Sequence, residues 1–492
     1  MEIKIKMKMN LEDKILTIME KGATQKIITG LLNASLKNKI TRKALINAIE
    51  RATYRMSLKT YQRPKKVLEE RYYMGSALLH SIERLFDTDS ISPNCVKALS
   101  NIFLGKVFLQ GIYTRRVFEE KNGFRPPCFV TISPTNVCNL KCIGCYAGEI
   151  YNKQILKFEI FDRVISEIKE QLGAYFFVIS GGEPFVYNDN GKTLFDILEK
   201  HNDCYFMSYT NGTMIKKDVA KRLAELGNLT PAISVEGFET QTDGRRGNGV
   251  FKRIMEVMDD LREEGVPFGI SVTPTRYNAE FLLSDEFIDF YFEKKGAFYG
   301  WYFQYMPIGR GPSVDLMVTP GQRYRMLKRI WQIVIEKKIF IADFWNSGTA
   351  SDGCMAGARG GGYFYIMWDG TIAPCVFIPF KDKNLGNIYE IYESGKTITD
   401  AIKSPLFEKI REWQNNYWIK RNKNECGNLL VPCIIRDNSI DFYKIVKEVD
   451  AIPIDEGAKE YLRFIEEEKI PQYNKKWREL VDPLWQNEYL NE

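Results

Sequence analysis

From Pro127 onward the chain alternates short apolar runs with amphipathic helical stretches, and nothing else in the sequence constrains the fold as tightly. Residues 128–133, 174–180, 204–209, 230–235, 267–272 and 297–306 read as strands. Each precedes a helix, at 158–172, 193–200, 217–226, 250–264, 285–295 and 320–338. Strand–helix repetition implies a parallel sheet with helices outside. Right-handed crossovers wrap six such units into a partial (βα)6 TIM-like barrel, with ligands at the C-terminal ends of the strands. The fold class is α/β.

The flanks differ from the barrel. Residues 11–110 carry apolar side chains at helical spacing, as in Leu11, Ile15, Ile18, Met19 and in Ala44, Leu45, Ala48, Ile49. Breaks fall near Gly30 and between Asp87 and Pro93, and Ser92-Pro93 suits the start of a helix running through Cys95 to Phe108. No strand pattern precedes Pro126. Residues 345–435 are Gly-rich and irregular and hold four cysteines, and the remainder turns helical again. This gives four domains: helical and basic at 1–125, barrel at 126–344, cysteine-containing at 345–435, and a helical tail at 436–492.

Composition excludes several classes. With 45% hydrophobic and 27% charged residues the chain is neither disordered nor low-complexity. No uninterrupted apolar run approaches the ~20 residues needed to span a bilayer, and the first ten residues lack the apolar stretch of a secretory signal. The reading is cytoplasmic, with peripheral membrane association. Only His80 and His201 exist, which excludes His-rich metal sites and a Ser-His-Asp triad. Ten cysteines therefore carry any metal or redox chemistry, too sparse and uneven for a disulfide scaffold.

Charge is split. Residues 1–125 hold 24 Lys and Arg against 12 Asp and Glu, while the remainder holds 45 against 51. A basic first quarter suits an anionic partner, or is a solvated face with none. Arg51, Arg55, Lys59, Arg63, Lys65, Lys66 and Arg71 intermix with Tyr54, Tyr61, Tyr72 and Tyr73. That mixture suits a membrane interface, and by composition RNA equally. The reading adopted is an anionic lipid or membrane surface, with no nucleic acid.

The sharpest motif is Cys138-Asn-Leu-Lys-Cys142-Ile-Gly-Cys145, directly after the first strand. Three thiolates in one loop can bind three irons of a [4Fe–4S] cube, leaving the fourth iron open to a small molecule, as a catalytic zinc keeps one position free. A zinc site would need a fourth ligand, and no histidine lies between His80 and His201. The next strand ends in Gly181-Gly182-Glu183-Pro184, where glycines allow close approach of the backbone to a ligand.

Together these motifs resemble the radical S-adenosylmethionine (SAM) superfamily. The resemblance implies that Gly181 to Pro184 hold the methionyl amino group of SAM. It implies that Ser234 and Glu236, ending the fourth strand, contact the ribose and methionyl moieties, and that Arg246 of Asp243-x-x-Arg246-Gly247 faces the SAM carboxylate with its guanidinium fork. Asn211 and Thr273 end the third and fifth strands on the same face. Many relatives carry an aromatic before the third cysteine; Gly144 stands there in this chain, and Tyr146 just after it is assigned to the adenine.

Farther on, Cys354 is followed by fifteen residues, Gly370, four residues and Cys375, with Trp368-Asp369-Gly370 as a hairpin turn. This resembles the opening of a SPASM or twitch domain and implies one auxiliary [4Fe–4S] cluster. Cys354, Cys375 and Cys433 are the preferred ligands and Cys426 a weaker fourth; a zinc ribbon is the alternative.

The resemblance implies reductive cleavage of SAM to a 5′-deoxyadenosyl radical, with the electron from a donor such as ferredoxin or flavodoxin. The protein positions the substrate and excludes water. Gln304, Tyr305, Met306 and Arg310 are candidate lining residues, the first two and Arg310 being the catalytic candidates. Proteins of this layout modify peptides, cofactors and lipids. The basic, aromatic N-terminus and the aromatic runs around the sixth strand direct the substrate reading to carbon–carbon bond formation between hydrocarbon chains of membrane lipids, as in bridged tetraethers. Peptide or protein maturation is the alternative. A non-catalytic iron–sulfur or zinc module is opposed by the intact cysteine and Gly-Gly-Glu-Pro set.

Overall fold

The structure, a computed structural model, describes residues 38–57, 63–87, 91–147 and 153–491. The expected helix around Leu11 to Met19, together with Lys59 and Tyr61, lies outside these residues. Seven parallel strands run in sequence order around the barrel: β1 (Phe129–Ile132), β2 (Phe176–Ile179), β3 (Tyr205–Thr210), β4 (Leu229–Val235), β5 (Gly269–Val272), β6 (Tyr299–Tyr302) and β7 (Phe340–Asp343). Beyond β1 the sheet continues into β8 (Tyr365–Ile366), parallel to β1, and β9 (Ile372–Ala373), antiparallel to β8. The edges, β7 and β9, do not pair with each other, so the barrel is partial.

All six expected strands and their following helices are present. Among the elements not anticipated are β7, just after a helix, and the Glu239–Arg246 helix, which buries only Thr242 and so shows no apolar stripe; the stretch read as irregular also holds helices at Ile388–Glu393, Ile398–Ala401 and Pro405–Gln414. The strands read as apolar runs because both faces are covered. Val130, Ile132, Phe177, Ile179 and Phe206 pack outward beneath the helices. Val178, Met207 and Ala232 point inward, with Phe129, Phe176 and Trp301 against them.

The N-terminal helices close the lower end of this lumen. Phe103 sits 5.9 Å from Phe176 and 5.2 Å from Tyr205, both at strand N-termini, with Leu85 and Leu99 beside it. Ligands are thus confined to the upper end, as expected for a barrel of this kind. Pro93–Asn122 is the one described helix that is long and apolar enough to cross a membrane by length and composition, which the sequence reading did not foresee; 38% of its apolar window is buried inside the fold.

Several cations of the basic stretch turn inward. Arg63 pairs with Asp352 at 2.9 Å, Arg71 with the same carboxylate, and Lys66 with Glu488. These ion pairs fasten the Lys65–Asp87 helix to the cysteine-containing region and to the C-terminus. They pair three of the cations counted toward a lipid partner with carboxylates of the fold itself, which composition could not reveal.

The same helix carries a buried acid. The Tyr489 hydroxyl donates to Glu70 at 2.7 Å, and burial, the largest effect, pushes the Glu70 carboxyl from 4.5 up to about 7. Because its folded-state value lies above the unfolded one, stability falls as pH rises from about 4.5 to about 7, and the full penalty applies above that. Glu70→Gln retains an acceptor for Tyr489 without a charge. It should raise the melting temperature at pH 8, by at most about 3 kcal/mol of stability, and change little at pH 5. Equal effects at both pH values in thermal melts would contradict this assignment.

Candidate active site

The cysteine loop is held against the Gly-Gly-Glu turn by backbone pairing. Gly182 N–H donates to Thr135 O and Glu183 N–H to Val137 O, each at 2.8 Å. A Cβ at Gly182 would collide with the carbonyl oxygens of Val137 and Asn136, and one at Gly181 would lie 2.5 Å from Thr135 O. The glycines are therefore required first by the cysteine loop, rather than by a ligand as the sequence suggested. Asn211 braces the other side: its Nδ2 donates to Asn139 Oδ1 at 2.8 Å and lies 3.7 Å from Cys138 Sγ. Burial pushes the Cys138 thiol up to about 11 and raises Cys142, so metal binding must displace protons there.

Above the strand ends lies a chamber of about 280 Å³. Its polar end holds Cys138, Cys142, Cys145, Gly181, Gly182, Asn211, Ser234, Arg246 and Thr273. Tyr146 also faces it, but its hydroxyl is engaged with Ser180 Oγ at 2.5 Å and accepts the Gly181 N–H at 3.2 Å, which anchors the turn. Gly144 has φ +64°, and a Cβ there would lie 2.7 Å from the Tyr305 ring. The aromatic absent from position 144 is thus replaced in space by Tyr305.

Three expected ligand-facing residues turn away. Glu183 is fully buried and accepts from Thr210 Oγ1 at 2.7 Å and Asn211 N–H at 2.8 Å, tying β2 to β3. Pro184 starts a short helical turn behind it. Glu236, 1% exposed, accepts from Arg246 at 2.6 Å and from Arg245. Arg245 is a chamber residue the motif reading missed, although it is adjacent to Arg246. Its Nε donates to Ile143 O at 3.1 Å, so it also holds the cysteine loop.

Two of the catalytic candidates change role. Gln304 lines the chamber, but both ends of its amide are engaged: Nε2 donates to Asp343 at 2.7 Å and Oε1 accepts from Arg436 at 2.9 Å. Arg310 is not among the residues facing the chamber. It caps the cysteine loop, its N–H donating to Cys145 O at 3.0 Å and its guanidinium to Cys142 O at 3.4 Å.

The chamber's far end is apolar, formed by Phe129, Met207, Trp301, Phe303, Phe344 and Phe377. Phe344, Met355 and Phe377 also wall a second, small cavity of about 20 Å³ that brings together Cys354, Cys375 and Cys433. A hydrogen bond from Cys433 is the main cause that lowers the Cys354 thiol to about 6, while burial raises Cys433. Cys426 stands apart: its Sγ lies 3.4 Å from Gly427 O, and the Arg63–Asp352–Arg71 cluster is its charged surrounding.

Neither cysteine trio is drawn tight enough for a single ion. Tetrahedral zinc, with Zn–S bonds of about 2.3 Å, would bring the sulfurs to about 3.8 Å. Among the described residues the only His, Cys, Asp or Glu group gathered within 4.8 Å is His201, Asp203 and Cys204. There Lys169 already donates to His201 at 3.2 Å and Asp203 at 3.0 Å. Thiol trios that do not gather around one ion suit a cube rather than zinc.

Residues 132–287 match the radical SAM superfamily, and residues 354–428 match SPASM, an iron–sulfur cluster-binding domain. The chain is a radical SAM enzyme. It carries a [4Fe–4S] cluster that works with SAM, and an auxiliary [4Fe–4S] cluster in the SPASM region. The chain is similar to the mycofactocin maturase MftC of Mycolicibacterium smegmatis, 28% identical over 61% of this chain and 76% of that protein. It is similar to the AdoMet-dependent heme synthase of Methanosarcina barkeri, 24% identical over 58% and 85%. It also resembles the sporulation killing factor maturation protein SkfB of Bacillus subtilis, 26% identical over 54% and 63%. In this radical SAM enzyme the SPASM match ends before Cys433, which the fold nonetheless places beside Cys354 and Cys375.

Proposed function

We propose that the enzyme is a maturase that abstracts hydrogen from an unactivated carbon of a peptide or protein substrate. The observation that carries this reading is the similarity, across more than half of the chain, to two proteins named for maturation.

In this reading Cys138, Cys142 and Cys145 hold the first cluster, and Cys354, Cys375 and Cys433 the auxiliary one. A [4Fe–4S] cluster held by the first trio would supply the electron for reductive cleavage of SAM to methionine and a 5′-deoxyadenosyl radical. The Gly181-Gly182 backbone receives the SAM ammonium, since the Glu183 carboxylate is already engaged. Arg246 meets the carboxylate, Ser234 and Thr273 the ribose side, and Tyr305 covers the base from the position that Gly144 vacates. Phe303, Phe344 and Phe377 exclude water around the reacting carbon.

Lipid coupling rests on the apolar lining of the same chamber, and one experiment separates the two readings. Cells expressing the chain should show a mass change on a peptide encoded beside its gene, with an unchanged lipid profile. Loss of two hydrogens per coupled chain pair in the lipid extract, with every such peptide unaltered, would reverse the assignment.

A further inference from the structure

We propose that Tyr363 sets the reduction potential of the auxiliary cluster from within the wall of the substrate chamber. Tyr363 is 2% exposed. Its ring faces the chamber and stacks on Phe129 with centroids 5.0 Å apart and planes at 14°. Its oxygen lies 3.0 Å from Cys375 Sγ. One side chain thus touches both the chamber and an auxiliary ligand.

The direction of the hydrogen bond follows from the surroundings. The Val376 N–H donates to the Tyr363 oxygen at 3.3 Å. An amide can only donate, so the phenolic hydrogen remains available for the sulfur. Cys375 bound as a thiolate has no hydrogen and can only accept. The Phe377 N–H, 3.4 Å from the same sulfur, adds a second donor. The backbone holds Tyr363 in this pose: its N–H donates to Met355 O at 2.9 Å, and its carbonyl accepts from Ala358 N–H at 3.1 Å. Hydrogen bonds donated to a ligand sulfur draw charge from the cluster and favour its reduced, more negative state, which raises the potential.

The inference rests on the auxiliary-cluster assignment to Cys354, Cys375 and Cys433, and the test keeps the two separable. The full chain with Cys138, Cys142 and Cys145 all replaced by Ala is reconstituted anaerobically, so that only the auxiliary cluster reports. Iron content and an EPR-monitored redox titration are then measured. Adding Tyr363→Phe should keep the iron and lower the midpoint by about 59 mV, a tenfold change in the reduced-to-oxidised ratio for one electron. Adding Phe129→Leu, which removes the stack but leaves the hydroxyl, should keep both iron and midpoint. An unchanged midpoint in Tyr363→Phe overturns the proposal, and so does an equal shift in Phe129→Leu. Loss of iron in Tyr363→Phe alone also overturns it, because the hydroxyl would then hold the ligand rather than set its potential. If the background protein takes up no iron, the auxiliary assignment itself fails.

Discussion

Cys142→Ala is expected to reduce 5′-deoxyadenosine formation to the level of a reaction without enzyme, and to remove about four iron atoms per chain. The loop that carries Cys142 is fixed independently of that sulfur. Backbone pairs with the Gly181–Glu183 turn hold one side, and Arg245 and Arg310 hold the carbonyls of Ile143 and Cys142. The variant should therefore fold, keep its auxiliary iron and melt like the parent apoprotein. The measurement is product formation with dithionite and SAM, read with iron content and a thermal melt. Residual turnover with full iron would place the reactive cluster elsewhere.

Asp437→Ala is expected to destabilise the fold by about 3–5 kcal/mol, because it leaves a buried guanidinium unpaired. Arg323 and Asp437 are both fully buried and bind in a forked pair at 2.5 and 3.2 Å. Arg323 stands on the helix after β6, and Asp437 lies four residues beyond Cys433, whose N–H donates to it at 3.3 Å. The pair therefore ties the barrel to the segment that carries Cys433. The double variant Arg323→Met with Asp437→Leu should recover most of the loss, since apolar replacement of a whole buried pair is near neutral. Denaturant melts of the three proteins decide; a loss below about 1 kcal/mol in Asp437→Ala would mean that the buried charge has found another partner.

The barrel was legible because its strands are covered on both faces and stand out as apolar runs between amphipathic helices. Strand β7 was not, since only Lys338 and Ile339 separate Phe340–Asp343 from the end of the preceding helix. The cysteine loop and the glycine turn were legible as local motifs. Which way each acid points was not: Glu183 and Glu236 sit at the expected strand ends, yet Thr210 and the two arginines draw them away from the chamber. The sequence already ranked Cys433 above Cys426, and the fold places Cys433 beside Cys354 and Cys375 while Cys426 stands apart. Tyr305 and Tyr363 touch Gly144 and Cys375, contacts that no spacing rule encodes.

The substrate reading shifted for a related reason. The basic N-terminal stretch suggested a lipid surface, but Arg63, Arg71 and Lys66 close ion pairs within the fold. Aromatic residues around β6 suggested hydrocarbon chains, but only Trp301 and Phe303 of them reach the chamber, while Phe290, Tyr291, Phe292 and Tyr302 pack in the core. Composition records which residues a chain has, not which of them are already partnered.

In the proposed function Cys138, Cys142 and Cys145 present one open iron to SAM at the polar end of the chamber. Its most direct test is EPR of the reduced, anaerobically reconstituted enzyme, recorded before and after SAM is added. The account predicts a SAM-dependent change in the spectrum of a four-iron cluster, absent from Cys142→Ala. A spectrum indifferent to SAM, or a protein that takes up zinc and no iron at this loop, would contradict it.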